Sequence, residues 1–304
     1  MTGPERLLLL LCAELGDGCR PLSGLRVREL NAMVLSAGGA GLEDLPREEA
    51  GLRRLGLDRE AAARTAELLC RDDALDRYLA LGAELGIRPL TARSAGYPRR
   101  LRRLAADAPP VLFYRGDLSV LEMPSVSLVG RRALSEAGAA FAARVGRLAA
   151  EEGLLLVSGD ARGADCTAED ACLRAGGRVA AFLPGGLRDR APRCARELLL
   201  CARGWHLEFR PFLALERNGF IHALGEKTLA AESDRSGGTF GGCADNLRRG
   251  LSPLWVHDDG SPGSRALQAL GAAPLPLSEL TTLRGLQPPA ADLPLPIAPD
   301  APEL

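Results

Sequence analysis

Residues 154–165 read LLLVSGDARGAD: four apolar residues, a Ser-Gly pair, then Arg162-Gly163 and Asp165. A short apolar run closed by glycine has the pattern of a strand buried on both faces. Upstream, VSLV (126–129) is followed by Gly130 and by a helical pattern with Phe141, Val145 and Leu148 on one face. Gly153 ends that helix just before the quoted strand. Downstream, strand patterns appear at RVAAFL (178–183), WHLEF (205–209), TLAAE (228–232) and PLWVH (253–257). Helical patterns separate them over 166–175, 192–202, ERNGFIHAL (216–224) and 240–249. Strand alternating with helix, with apolar strands throughout, predicts a mostly parallel sheet covered by helices on both faces. The fold class is α/β, a Rossmann-like doubly wound domain over 125–283.

The flanking segments differ in texture. Residues 1–86 carry five helical patterns broken by glycine and short polar turns, which predicts a small all-helical module; Asp58 is placed to cap the fourth. Residues 87–124 hold GYPRRLRRL and APPVLFYRGDL, rich in proline, aromatic and basic residues, and read as a connector. The tail over 284–304 has six prolines and no periodicity, so an extended or disordered segment is expected.

Charge and cysteine usage narrow the function classes. The net charge of −1 gives no general attraction to nucleic acid or membrane, so any anion-binding surface must be local. Basic residues are almost all arginine, with Lys227 the only lysine. The eight cysteines form no CxxC pair, so neither a zinc site nor a disulfide framework is expected, and the reading is a cytoplasmic protein with reduced thiols. The run LLLLLC at 7–12 follows Glu5 and is closed by Glu14, which favours a buried first helix over a signal peptide. No stretch approaches transmembrane length, and no membrane association is expected.

In open parallel sheets, ligands sit beyond the carboxyl ends of the strands where strand order reverses. Three loops at such ends carry residues suited to phosphate. They are Gly130-Arg131-Arg132; Ser158-Gly159 through Arg162, Gly163 and Asp165; and Ser236-Gly237 just before a helix. Glycines let backbone N–H groups approach an anion, and a following helix N-terminus adds free donors. Arg132, Arg162 and Arg217 are expected to converge on this edge, with Asp165 holding its turn by accepting N–H bonds. Phe220, Phe240 and Trp205 lie near the loops as aromatics for bases. None of the loops matches GxGxxG or a Walker A sequence, so no nucleotide cofactor is expected. No catalytic constellation is legible around His206, His222 or His257, and Glu232 reads as a loop cap.

Taken in order, YPRRL, APPVLFYRGDL, VSLVGRR, VSGDARGAD, ERNGFIHAL and RSGG resemble the DprA/Smf family of DNA-processing proteins over about 95–275. The resemblance places Gly130 and Arg132 on the family's Gly-x-Arg loop. Ser158, Gly159, Arg162, Gly163 and Asp165 fall on its Ser-Gly-x-Ala-x-Gly-x-Asp loop. Arg217 and Asn218 match its Arg-Asn pair, and Ser236 and Gly237 its Ser-Gly turn. It implies a Rossmann-like homodimer that binds single-stranded DNA and hands it to a RecA-type recombinase, with no enzymatic activity, in DNA uptake or recombination. Departures are Arg131 where the family has a small residue, Glu169 where it has histidine, and Gly219 where it has a third arginine. After the turn, GGTFGGCADNLRRG replaces the family's Leu-Ile-Thr-Ala helix start. Two other readings stand beside this one. One is a nucleotide-sensing module of a defence or stress system. The other is a nucleoside-monophosphate glycosidase, whose motif would here be split between Leu183-Pro-Gly-Gly and Gly237-Gly-Thr, with Asp245 the nearest carboxylate.

Overall fold

The structure, a computed structural model, describes residues 1–287; the rest of the proline-rich tail lies outside the described residues. Five helices open the chain: α1 (Gly3–Cys12), α2 (Gly24–Ser36), α3 (Glu49–Arg54), α4 (Arg59–Leu69) and α5 (Asp72–Glu84). Thr2 and Glu5 form a capping box on α1, and the whole Leu7–Cys12 run is buried, as the sequence predicts. Asp58 caps α4 by accepting the Ala61 N–H at 2.8 Å.

Nine strands then form one sheet, in the order β1-β2-β6-β5-β4-β3-β7-β8-β9. They are β1 (Arg88–Thr91), β2 (Val111–Arg115), β3 (Ser125–Val129), β4 (Leu155–Ser158), β5 (Arg178–Phe182), β6 (Glu197–Ala202), β7 (Thr228–Ala230), β8 (Leu254–His257) and β9 (Ala273–Leu275). From β6 through to β9 every neighbouring pair is parallel. The crossovers are α6 (Glu136–Glu151), α7 (Ala164–Arg174), α8 (Pro211–Leu224), α9 (Gly238–Arg249) and α10 (Pro262–Ala269). From β3 the chain winds toward β6, then returns to β7 and winds the other way, so strand order reverses between β3 and β7.

The parallel strands are buried on both faces, with alternate residues feeding two cores. Val126, Leu156, Val179 and Ala181 face α6 and α7, where Phe141, Val145 and Cys172 pack; Leu155, Val157, Ala180 and Phe182 face Phe220, Ile221 and Leu224 of α8. The first of these cores runs on without a break into Leu8–Leu11, Leu68, Leu69 and Tyr78 of the helical segment. The helices of residues 1–86 therefore share apolar surface with the sheet.

Two features differ from the sequence reading. The fourth parallel strand is Glu197–Ala202, not WHLEF (205–209), and no helix fills 192–202. ELLLCA carries too short an apolar run to distinguish strand from helix by pattern; β5 and β2 flank it and supply ladder partners on both sides. The segment 87–124, read as a connector, contributes β1 and β2, an antiparallel pair that extends the sheet beyond β6. The remaining strands, and the helices between them, fall where the pattern places them within a few residues.

Candidate functional site

The loops after β3, β4 and β7 meet at the carboxyl edge of the sheet, astride the strand-order reversal. Glu232, just past β7, binds the first of these loops to the last. Its Oε2 accepts the Ser135 N–H and the Ser135 hydroxyl, both at 2.8 Å, and its Oε1 receives Arg131 Nη1 at 3.2 Å. Ser135 in turn caps α6. Glu232 is thus a loop clamp, as its position suggested.

Arg131 also meets Asp234 at 3.0 Å, so two carboxylates neutralise its guanidinium. Arg132, its neighbour, is exposed and lies over the Phe209 ring at 5.9 Å. Of the two adjacent arginines, only Arg132 presents an uncompensated charge to solvent among the described residues.

The loop after β4 packs directly on the one after β3. Gly163 has φ of +88°, and a methyl group there would sit 2.4 Å from the Arg132 carbonyl oxygen, so no side chain fits. Ala164 N–H donates to the Arg131 carbonyl at 3.2 Å. Inside the loop, Asp165 accepts the Ala161 N–H at 3.4 Å and Glu169 accepts the Asp160 N–H at 2.9 Å. Asp165 is therefore a turn holder, as expected. Arg162, at the tip, is exposed and makes no hydrogen bond or ion pair among the described residues.

Arg217 reaches under this loop from α8. It is 5% exposed, its Nη1 lies 3.6 Å from Asp165 Oδ2, and its Nε has no hydrogen-bond partner. A methyl group on Gly159 would sit 1.2 Å from the same Nη1, so this guanidinium needs glycine at 159. The expected convergence of three arginines is met in part. Arg132 and Arg162 share the outer surface, whereas Arg217 is the buried support beneath them. Asn218 donates to the Gly238 carbonyl at 3.2 Å and so ties α8 to the start of α9. Gly130 lies against α7, where a methyl group would meet the Ala164 Cβ at 2.4 Å.

Two helix N-termini open onto this surface without a side-chain cap, α7 at Gly163 and α9 at Gly237, beside the exposed Ser236. At α9 the free first-turn N–H groups and the helix dipole favour an anion, whereas at α7 the Ala164 and Cys166 N–H groups already donate to the Arg131 and Ala161 carbonyls. The aromatic expectation needs correction. Phe220 and Trp205 are 2% and 4% exposed and belong to the core. The exposed apolar side chains near the edge are Phe209, Phe212 and Leu215, at 54%, 52% and 61%. Phe209 falls in WHLEF, which the pattern assigns to a strand, and Phe212 and Leu215 fall in the first turns of α8, ahead of the helical pattern at 216–224.

Two buried carboxyls give the site a pH signature. Burial pushes Asp165 up to about 6, against the lowering effect of Arg217. Burial, then the Asp165 charge, pushes Glu169 up to about 7, against the Asp160 N–H and Arg193. A carboxyl whose proton affinity is higher folded than unfolded stabilises the fold at low pH and loses that contribution as pH rises through the folded value. Relative to Glu169→Gln, which cancels the titrating groups not coupled to Glu169, the native protein should lose on the order of 2 kcal/mol of stability between pH 5 and pH 8. Urea titrations of both proteins across that range measure it, and parallel curves would show Glu169 to be ionised throughout.

Asp160, Cys166 and Glu169 bring ligand-type atoms within 4.8 Å of one another. Arg190 and Arg193 already pair with the two carboxylates, which makes this a salt-bridge network of the loop. Asp245, the carboxylate nearest the split glycosidase motif, is paired with Arg248 and Arg249.

Comparison with known proteins places this architecture. Residues 88–276 match the family model described as DNA recombination-mediator protein A. The chain belongs to this family, that of DprA and Smf. It is 33% identical over 153 residues to the DNA processing protein DprA of Streptococcus pneumoniae, a match covering 47% of this chain and 54% of that protein. Protein Smf of Synechocystis is 32% identical over 162 residues, covering 49% and 40%. The matches thus span about half the length of these DprA and Smf relatives. The X-ray structure of the S. pneumoniae DprA superposes with a TM-score of 0.67 at 25% identity, over 84% of this chain and 94% of that one. The Helicobacter pylori DNA processing protein A, described for its single-stranded DNA binding mode, gives 0.54 at 22% identity, over 62% and 90%. The DprA-like likeness to S. pneumoniae extends across most of both chains, beyond the residues matched in sequence. Among the described residues, no helix is long and apolar enough to cross a membrane.

Proposed function

We propose that this protein binds single-stranded DNA at the carboxyl edge of its sheet and acts as a recombination mediator. The observation that carries the reading is the pairing of Arg132 and Arg162. Both are exposed and without a carboxylate partner, on loops locked together at the strand-order reversal beside two uncapped helix N-termini. Ser236 and Gly237 offer donors at that edge, and Gly130, Gly159 and Gly163 let its loops pack closely. Ser158, expected to bind phosphate, is instead buried with its hydroxyl donated to the Leu128 carbonyl. Asp165, Arg217 and Asn218 hold the loops and helices in place. Arg131 serves as a clamp through Glu232.

Phosphate donors without a groove-reading helix favour single strands with little sequence preference. The exposed Phe209 and Phe212 add a surface on which bases can stack, a contribution of about 1–3 kcal/mol per base. Titration at fixed salt should therefore show tighter binding to a single-stranded oligonucleotide than to the duplex of the same sequence. Equal or tighter duplex binding would overturn the reading. Binding of mononucleotides as tight as that of oligonucleotides would favour the nucleotide-sensing alternative. The homodimer and the hand-over to a RecA-type recombinase rest on the family resemblance. Mass measurement in solution tests the first. Stimulation of recombinase loading on DNA coated with single-strand-binding protein tests the second.

A further inference from the structure

One cavity lies away from the loops described so far. A groove of about 1050 Å³ opens between the N-terminal helices and the sheet layer. One wall carries Arg20, Arg26 and Arg64, the other Arg203, Arg210 and Phe212. Among the described residues, Glu14 is the one carboxylate on its walls.

These arginines differ in how far their charge is compensated. Arg26 pairs with Glu29 and Arg203 with Glu216. Arg64 donates only to the backbone carbonyls of Arg20 and Pro21, which leaves its full positive charge without a carboxylate. Arg20 and Arg210 are exposed, with no ion pair among the described residues. Three uncompensated cations therefore face one another across the groove.

The backbone is held for this arrangement. Arg203 adopts φ of +68°, a left-handed conformation uncommon outside glycine, and its carbonyl accepts the Glu14 N–H at 2.8 Å. That bond ties the two walls together. The groove is also continuous with the strand-end edge: Phe212 lines it, Arg210 adjoins Phe209, and Phe209 carries Arg132 on its ring.

We propose that this groove holds phosphates of the same single strand as it leaves the strand-end site, so that the N-terminal helices take part directly in DNA binding. This rests on the function proposed above. An open channel with cations on both walls suits an extended, flexible polyanion.

The test compares wild type with the charge reversals Arg20→Glu and Arg210→Glu combined, side chains with no ion pair among the described residues, after confirming an unchanged melting temperature. Each is titrated with thymidine oligonucleotides of about 5 and about 20 nucleotides, lengths that bracket one compact site. The long oligonucleotide should bind the variant at least tenfold more weakly, with a salt slope lower by about 1.4, since each lost single-strand phosphate contact removes about 0.7. The short one should bind both proteins alike. Equal weakening of both lengths would indicate a general change in surface potential and overturn the groove. Unchanged long-strand affinity would also overturn it, leaving the strand-end site intact if Arg132→Ala still weakens binding. Absence of single-strand binding by wild type would overturn both. As a second variant, Arg64→Gln should reproduce the length-selective loss without reversing a charge.

Discussion

Replacing Arg132 and Arg162 together by alanine should weaken single-stranded DNA binding by roughly a hundred- to ten-thousandfold. A hydrogen bond to a charged group contributes about 1.5–3 kcal/mol, and two such contacts on separate loops add to about 3–6 kcal/mol. Arg132 alone should account for roughly ten- to a hundredfold, since its guanidinium can present two parallel N–H donors to one phosphate. The double variant should also lower the salt slope by about 1.4, the electrostatic signature of two lost phosphate contacts on a single strand. Folding should be unaffected, because neither side chain has an ion-pair partner among the described residues.

Arg131→Ala is the control. Its guanidinium is tied to Glu232 and Asp234, so its loss should lower the melting temperature while changing affinity less than Arg132→Ala does. Fluorescence anisotropy at three salt concentrations, with a thermal melt on each variant, separates the two effects. If Arg131→Ala weakens binding and Arg132→Ala does not, the register of this loop against the family is off by one residue. If neither does, the loop is a structural turn.

Arg217→Ala should produce the largest loss of stability, about 3–5 kcal/mol near pH 8, because it leaves the Asp165 carboxylate buried without its counter-charge. The cost should shrink with acidity. Asp165 is already pushed up to about 6 by burial, and loss of Arg217, which holds it down, raises it further. Below about pH 6 the carboxyl is protonated in both folded proteins, so the charge term vanishes; it grows as pH rises from about 6 toward the variant's higher folded value. The double variant Arg217→Met with Asp165→Asn removes both charges and keeps the volume, and should recover most of the stability. Denaturant titrations of the single and double variants at pH 5 and pH 8 measure this. A pH-independent cost, or no recovery in the double variant, would show that Arg217 acts through packing alone. Since Arg217 is covered by the loop it supports, both variants should change DNA affinity mainly by loosening Arg162.

How far the sequence carried differs between elements. The strands β3, β4, β5, β7 and β8 were legible because each is a short apolar run closed by a turn residue, and burial on both faces demands that composition. Their order of alternation with helices fixed the fold class and the edge at which a ligand would sit. The family was legible too, since the glycine and arginine loops must keep their spacing for the loops to meet.

Tertiary structure decided the rest. ELLLCA became β6 only because β5 and β2 lie on either side to satisfy its backbone, a fact no local pattern contains. The strands β1 and β2 lay hidden in a segment rich in proline and arginine because they form an antiparallel pair completed by a partner distant in sequence. The roles of the arginines were decided in the same way. Arg131, Arg132, Arg162 and Arg217 are alike in sequence, three of them in loops that follow strands and Arg217 in the helix before β7. Folding places carboxylates beside Arg131 and Arg217 and, among the described residues, none beside Arg132 or Arg162, and the energy of a charge depends on what faces it across space.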